Sequence, residues 1–150
     1  MIQKLDPTTT AMAQKIWEVF QVSYAVEAQL LNATNFPPLQ RTVEDFIGSD
    51  TAFYGFMQDQ QLAAVVEIAT NPTMTHIQSL VVAPAFFRQG MAGKLLDFVF
   101  SSYHTPVFIV ETGLANEPAK QLYLKYGFEE VAVWDTAHGI RKIRFERRRG

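Results

Sequence analysis

Two stretches of this chain carry residue types that can do chemistry. The first is Leu80-Val81-Val82-Ala83-Pro84-Ala85-Phe86-Phe87-Arg88-Gln89-Gly90-Met91-Ala92-Gly93-Lys94, an apolar run stopped by proline and followed by a helical pattern that begins on small residues. The first turn of a helix has unpaired N–H groups and the positive end of the helix dipole. With Gly90, Ala92 and Gly93 keeping side chains away, the backbone from Gly90 to Lys94, with Met91 inside it, can cradle a phosphate. Arg88 and Lys94 add positive charge, and Gln89 offers a polar contact. A P-loop would need Gly-Lys-Ser/Thr and a dinucleotide fold its own glycine spacing; neither is present. The plainer reading is a glycine-rich turn that lets a helix pack on a sheet.

The second stretch is Asn116-Glu117-Pro118-Ala119-Lys120-Gln121-Leu122-Tyr123-Leu124-Lys125-Tyr126-Gly127-Phe128. Asn116 can cap a helix with its side-chain oxygen and turn its amide toward a ligand. Tyr123 follows seven residues later, about two helical turns, on a similar face. A phenol with a reference pKa of ~10 is protonated at neutral pH and can donate its proton to a departing group. The structural alternatives are a plain N-cap and a core tyrosine; Tyr126, one turn on, is a second phenol.

Together these stretches resemble the GNAT family of acetyl-CoA-dependent N-acyltransferases. That family's pyrophosphate-binding motif follows a strand ending V-x-P and reads R/Q-x-x-G-x-G/A. Residues Phe87 to Ala92 match it at Gly90 and Ala92 and depart at Phe87, where Arg or Gln is expected. The second signature, N-x-x-A-x-x-L-Y-x-x-x-G-F, is met at all its specified positions. The resemblance implies an N-acetyltransferase that moves an acetyl group from acetyl-CoA to a primary amine by direct attack in a ternary complex. It implies cofactor contacts from Leu80, Val81, Val82, the Arg88–Lys94 segment, Asn116, Ala119 and Tyr123. It further implies that Tyr123 protonates the leaving thiolate and that backbone N–H groups near Leu80–Val82 polarise the thioester carbonyl.

A lysine-like amine has a reference pKa of ~10.4, so about one in 10³ is free at neutral pH, and a base would help it attack. The ranking is His76, then Glu67, then Glu111. His76 stands where several such enzymes carry an acidic residue, and histidine titrates in a suitable range. Glu67 lies among Val65, Val66 and Ile68, so burial is expected to raise its pKa. The acceptor is expected between the first helix, through Ser23, Tyr24 and Glu27, and an apolar lid at Phe36-Pro37-Pro38-Leu39, with Glu111 nearby. His104 and His138 read as surface residues, and three histidines so far apart form no metal motif.

The elements that must position these groups follow from periodicity and caps. Ile2–Leu5 reads as a strand and Asp6 to Thr10 as a helix start, with the helix running to about Leu31. Asn32 to Gln40 reads as a loop, and Thr42, with Asp45 as an imperfect capping box, starts a short helix through Ile47. Strands are predicted at Ala52–Met57, Leu62–Thr70, Thr75–Val82, Val107–Glu111, Glu129–Trp134 and Arg141–Arg147. Helices are predicted at Gly90–Ser102 and Pro118–Tyr126, the latter stopped by Gly127. The order β-α-α-β-β-β-α-β-α-β-β implies an α/β fold with a mixed, mostly antiparallel central sheet flanked by helices.

Composition bounds the rest. A chain of 150 residues with 48% hydrophobic and 13% aromatic residues suits a single domain over 1–150 and excludes a disordered chain. No cysteine is present, which excludes a cysteinyl acyl-enzyme and thiolate metal sites, and no metal is expected. Met1 to Pro7 lacks the apolar core of a signal peptide and no run reaches the ~20 residues of a membrane span, so no membrane role and a cytoplasmic location are expected. The net charge of −2 hides a split: residues 141–150 hold six basic side chains against Glu146, and the remainder holds seven basic and fourteen acidic. The basic end reads as an exposed strand and solvated tail with no nucleic-acid role, and the acidic remainder suits an amine acceptor, small-molecule or peptide. Monomer and homodimer are both compatible. A non-catalytic acyl-CoA-binding sensor or regulatory module is the competing reading.

Overall fold

Caps and prolines set the element ends as local chemistry dictates. In the computed structural model, which describes residues 1–149, the chain forms β1 (Ile2–Leu5), α1 (Thr10–Leu30), α2 (Val43–Ile47), β2 (Ala52–Gln58), β3 (Gln61–Thr70) and β4 (Met74–Val82). It continues through α3 (Met91–Ser102), β5 (Val107–Gly113), α4 (Glu117–Lys125), β6 (Glu129–Asp135) and β7 (Arg141–Arg148). The Thr9 hydroxyl accepts from the Met12 amide at the start of α1. Thr42 and Asp45 exchange both bonds of a capping box at α2. The loop before α2 is more ordered than expected, because Pro37–Gln40 winds into a 3-10 turn.

The seven strands form one sheet in the order β1-β2-β3-β4-β5-β7-β6. Every neighbouring pair is antiparallel except β4 and β5, which α3 joins as a crossover. Helices α3 and α4 cover one face through Met91, Leu95, Leu96, Val99 and Tyr123, packed on Ile68, Ile77, Phe108 and Phe145. Helices α1 and α2 cover the other through Ile16, Val19, Phe20 and Phe46, packed on Phe53, Val65 and Val81. The interior strand β3 is buried almost throughout, as its apolar run requires.

Two irregularities shape the centre. The β3–β4 register runs Glu67↔Ser79 and then Ile68↔Ile77, so Gln78 is an extra residue on β4. This bulge flips the side-chain alternation: Ile77 packs on the α3 face and Val81, four residues on, on the α1 face. The parallel β4–β5 ladder ends at Ile77↔Val110, although β4 runs on to Val82 and β5 to Gly113. Beyond that pair the strands part. The basic C-terminal stretch corrects an expectation: β7 lies between β5 and β6, with Ile143 and Phe145 buried, and β6 is the exposed edge. No helix among the described residues is long and apolar enough to cross a membrane.

Candidate active site

Where β4 and β5 part, a cavity of about 420 Å³ opens. Its lining comes from β4 (Ile77 to Leu80), β5 (Val110 to Gly113), α1 (Tyr24, Glu27), the loop after α1 (Phe36, Pro37, Pro38) and the α4 segment (Asn116, Ala119, Tyr123). Residues of β4 beyond Ile77 have lost β5 as a partner, so their backbone groups on that side are open to a ligand.

Tyr123 is 5% exposed and its ring packs between Phe128 and Phe145, with centroids 5.7 and 5.6 Å away. Burial, followed by the negative charge of Glu27 and the neighbouring Tyr24, pushes its phenol far above the ordinary tyrosine range. The phenol therefore keeps its proton at every physiological pH and faces the cavity as a donor. Tyr24 is raised for the same reasons, burial first and the Glu27 charge second.

Glu27 is held by neutral donors. Its Oε1 accepts from Thr112 Oγ1 at 2.9 Å and from Asn116 Nδ2 at 3.1 Å, and Asn116 Nδ2 also reaches Thr112 Oγ1 at 3.2 Å. Asn116 Oδ1 meanwhile caps α4 by accepting from the Ala119 amide at 3.3 Å. The Asn116 amide, expected to turn toward a ligand, is thus engaged with Glu27 and Thr112.

Glu67 is fully buried, but its surroundings reverse the expected shift. Desolvation pushes its pKa up; the Arg41 bidentate pair at 2.7 and 2.7 Å, with donors from Thr51 at 2.7 Å and Ser79 at 3.0 Å, outweighs it and holds the carboxyl below the usual range. A carboxylate so satisfied is a poor base. Arg41 also stacks 4.3 Å over the Phe46 ring, so the pair clips the segment before α2 to the sheet. His76 precedes the first β4 residue of the cavity and does not line it. Burial, aided by Arg144 and Lys142 and opposed by Glu111, pulls its imidazole below the ordinary histidine range. Glu111 does line the cavity, flanked by Lys142 at 3.9 Å and Arg144 at 3.7 Å.

At the start of α3, Gly90 is the cap residue in the left-handed region, φ +74°, with no side-chain cap bond. A Cβ added there would meet nothing within 4 Å. Arg88 also has positive φ, +64°, a strained position for a non-glycine residue. The α3 terminus therefore presents open backbone N–H groups, whereas Thr9, Thr42 and Asn116 cap α1, α2 and α4. Gly93 behaves differently from its expected part in the cradle. Its missing Cβ is where Tyr126 sits, since a Cβ there would lie 2.0 Å from the Tyr126 hydroxyl.

The model of the acetyltransferase (GNAT) domain family matches residues 22–148. The chain belongs to the GNAT acetyltransferase family. A curated relative, the UPF0157 protein YqkA of Bacillus subtilis, is 30% identical over 141 residues; the match covers 93% of this chain and 41% of that protein. The chain thus spans about two fifths of that relative's length. Among solved structures, the fold is shared with the ribosomal-protein-S18-alanine N-acetyltransferase of Escherichia coli, at TM-score 0.76 and 18% identity, covering 99% of this chain and 92% of that one. It is also shared with the PaiA N-acetyltransferase of Thermoplasma acidophilum in complex with coenzyme A, at TM-score 0.77 and 16% identity, covering 99% and 98%.

In this GNAT chain the structure gathers Leu80, Asn116, Ala119, Tyr123, Tyr24, Glu27, Phe36 and Glu111 around one cavity. Val81 is buried on the α1 face and contributes backbone alone, and the Met91 side chain is core. Gln89 lies outside the cavity, accepting from Gln58 Nε2 at 3.0 Å. Sequence reasoning missed Thr112, which follows the expected strand end at Glu111, and His138, which reaches the cavity from the β6–β7 turn with Thr136 and Ile140. A continuous apolar-to-Gly113 reading of β5 would have revealed Thr112; His138 has no local signal, because its turn meets the cavity through sheet topology.

Proposed function

We propose that this chain moves an acetyl group from acetyl-CoA to a primary amine by direct attack, with Tyr123 as the acid for the leaving sulfur. The observation that carries this reading is the buried Tyr123 side chain lining a cavity at the point where β4 and β5 separate. The donor fits the residues present: the uncapped start of α3 with open space at Gly90, the nearby cations Arg88 and Lys94, and the unpaired side of β4 at Leu80–Val82 suit a phosphorylated pantetheine chain. When bound, acetyl-CoA supplies an activated acyl group as its thioester. Backbone N–H groups of β4 orient and polarise that carbonyl. Tyr123 Oη gives its proton to sulfur as the carbon–sulfur bond breaks. The PaiA N-acetyltransferase structure, which has the same fold and is a complex with coenzyme A, supports the donor assignment.

The test is a thermal-shift series with acetyl-CoA and CoA, followed by thiol release over an amine panel. Stabilisation by acetyl-CoA is expected, and Tyr123→Phe should lower kcat about 10²-fold while keeping that stabilisation. Unchanged thiol release in Tyr123→Phe would remove the acid assignment. Absence of any shift with millimolar acetyl-CoA or CoA would defeat the whole reading, and a shift without transfer to any amine would favour a non-catalytic acyl-CoA sensor.

A further inference from the structure

Three carboxylates sit in or beside the cavity, and their partners divide them. Glu67 is neutralised by Arg41, and Glu111 is flanked by Lys142 and Arg144. Glu27 takes its bonds from a hydroxyl and an amide, both neutral, and both on Oε1. Among the described residues it has no cationic partner at ion-pair distance, so no side-chain cation of the fold competes with an incoming one for this carboxylate. Holding such a charge in a partly enclosed space is unfavourable until a cation meets it. The anchoring is also unusually far-reaching: Glu27 comes from α1, Thr112 from β5 and Asn116 from the cap of α4, the helix that carries Tyr123. The same cavity has apolar lining from Leu31, Phe36, Pro37 and Ile140.

Resting on the acetyltransferase reading, we infer that Glu27, locked by Thr112 and Asn116, selects the acceptor and receives its proton, and that the acceptor is a primary amine, cationic in solution, on an apolar body. An ammonium and a carboxylate brought together out of water shift toward the neutral amine–acid pair, because desolvation penalises both charges. The first ammonium proton passes to Glu27 and on to solvent. The freed lone pair forms the nitrogen–carbon bond, the carbon–sulfur bond breaks, and sulfur leaves with the electron pair of that broken bond and takes the Tyr123 Oη proton. The second proton, shed by nitrogen once it is bonded to the acyl carbon, restores Tyr123. One acetamide, one thiol and one proton result. Thr112 and Asn116 are positioning residues in this scheme.

Two acceptors of the same apolar body separate charge selection from shape: benzylamine, cationic at neutral pH, and O-benzylhydroxylamine, whose far less basic nitrogen is neutral. Glu27→Gln keeps the Oε1 acceptor, and so the bonds from Thr112 and Asn116, but removes the charge. Its kcat/KM for benzylamine should fall about 10²-fold, a loss about tenfold larger than that for O-benzylhydroxylamine, while acetyl-CoA still stabilises the variant. Thr112→Val, which removes one of the two donors, should show the same selectivity to a smaller degree. Equal losses for both acceptors, or no loss, would overturn the role of Glu27. A wild-type protein that acetylates the alkoxyamine but not benzylamine would overturn the acceptor class while leaving the acetyltransferase reading intact. No stabilisation of the wild type by acetyl-CoA would defeat both.

Discussion

Glu67 accepts from Arg41, Thr51 and Ser79, and Glu27 from Thr112 and Asn116; the difference that matters is the charge of the donors. An arginine partner makes Glu67 a structural anion, and removing it strands a guanidinium whose side chain is only 26% exposed. Glu67→Gln should therefore lower stability by about 3 kcal/mol, the low end for a broken buried pair because Arg41 keeps some water. Since the folded state holds the Glu67 carboxyl below its unfolded range, this stabilisation is present above the ordinary glutamate pKa and lost as pH falls through the folded value. Chemical denaturation across acid pH should show a shallower fall for Glu67→Gln than for the wild type; parallel curves would contradict the assignment. The sequence displayed both carboxylates. It could not display their fates, because Arg41 is 26 positions from Glu67 and Thr112 is 85 from Glu27. Apolar neighbours in sequence suggested a raised Glu67 pKa, but contacts across the fold set its sign.

At the scale of elements, caps and breakers were readable because they act within a few residues: the Thr42–Asp45 box, Asn116 at α4 and Gly127 after it all stand where local chemistry puts them. The pairing of α3 with α4 was not readable. Gly93 is small because Tyr126, the residue that ends α4, fills its place. Gly93→Ala should cost about 1–3 kcal/mol of overpacking in a denaturant titration, and Tyr126→Ala in the same chain should recover part of the loss. An additive double variant would show that the two residues do not compete for that space. The bulge at Gln78 was equally hidden, since an extra residue leaves the alternation of β4 looking regular over Thr75–Val82 while its faces exchange at Gln78.

For the whole molecule, the charge split acquires a structural account. The basic residues of β7 meet acids of β5 and of β7 itself: Arg148 pairs with Glu146 at 3.1 Å, Arg144 with Glu111 and Glu146, and Lys142 with Glu111. Arg149 donates to the carbonyls of Phe100 and Tyr103, tying the chain end to the end of α3. Arg147 lies 3.9 Å over the Phe100 ring and donates to the Tyr126 carbonyl at 3.0 Å, closing the C-terminus of α4. Arg147→Ala should thus cost about 1–2 kcal/mol, the sum of a cation–π contact and a hydrogen bond, and Arg147→Lys should recover less than half. A melting temperature unchanged by Arg147→Ala would return this residue to the solvated surface that composition suggested. The sequence by itself determined the element order, the caps, the small-residue turn at Gly90 and the asparagine–tyrosine spacing of α4, because each rests on periodicity or on bonds between near neighbours. Only the tertiary structure decided that β7 is interior, that β4 and β5 part after Ile77 and Val110, and that Glu27 is the cavity carboxylate held by neutral donors. Those outcomes depend on which distant side chains meet, and no short-range pattern encodes that.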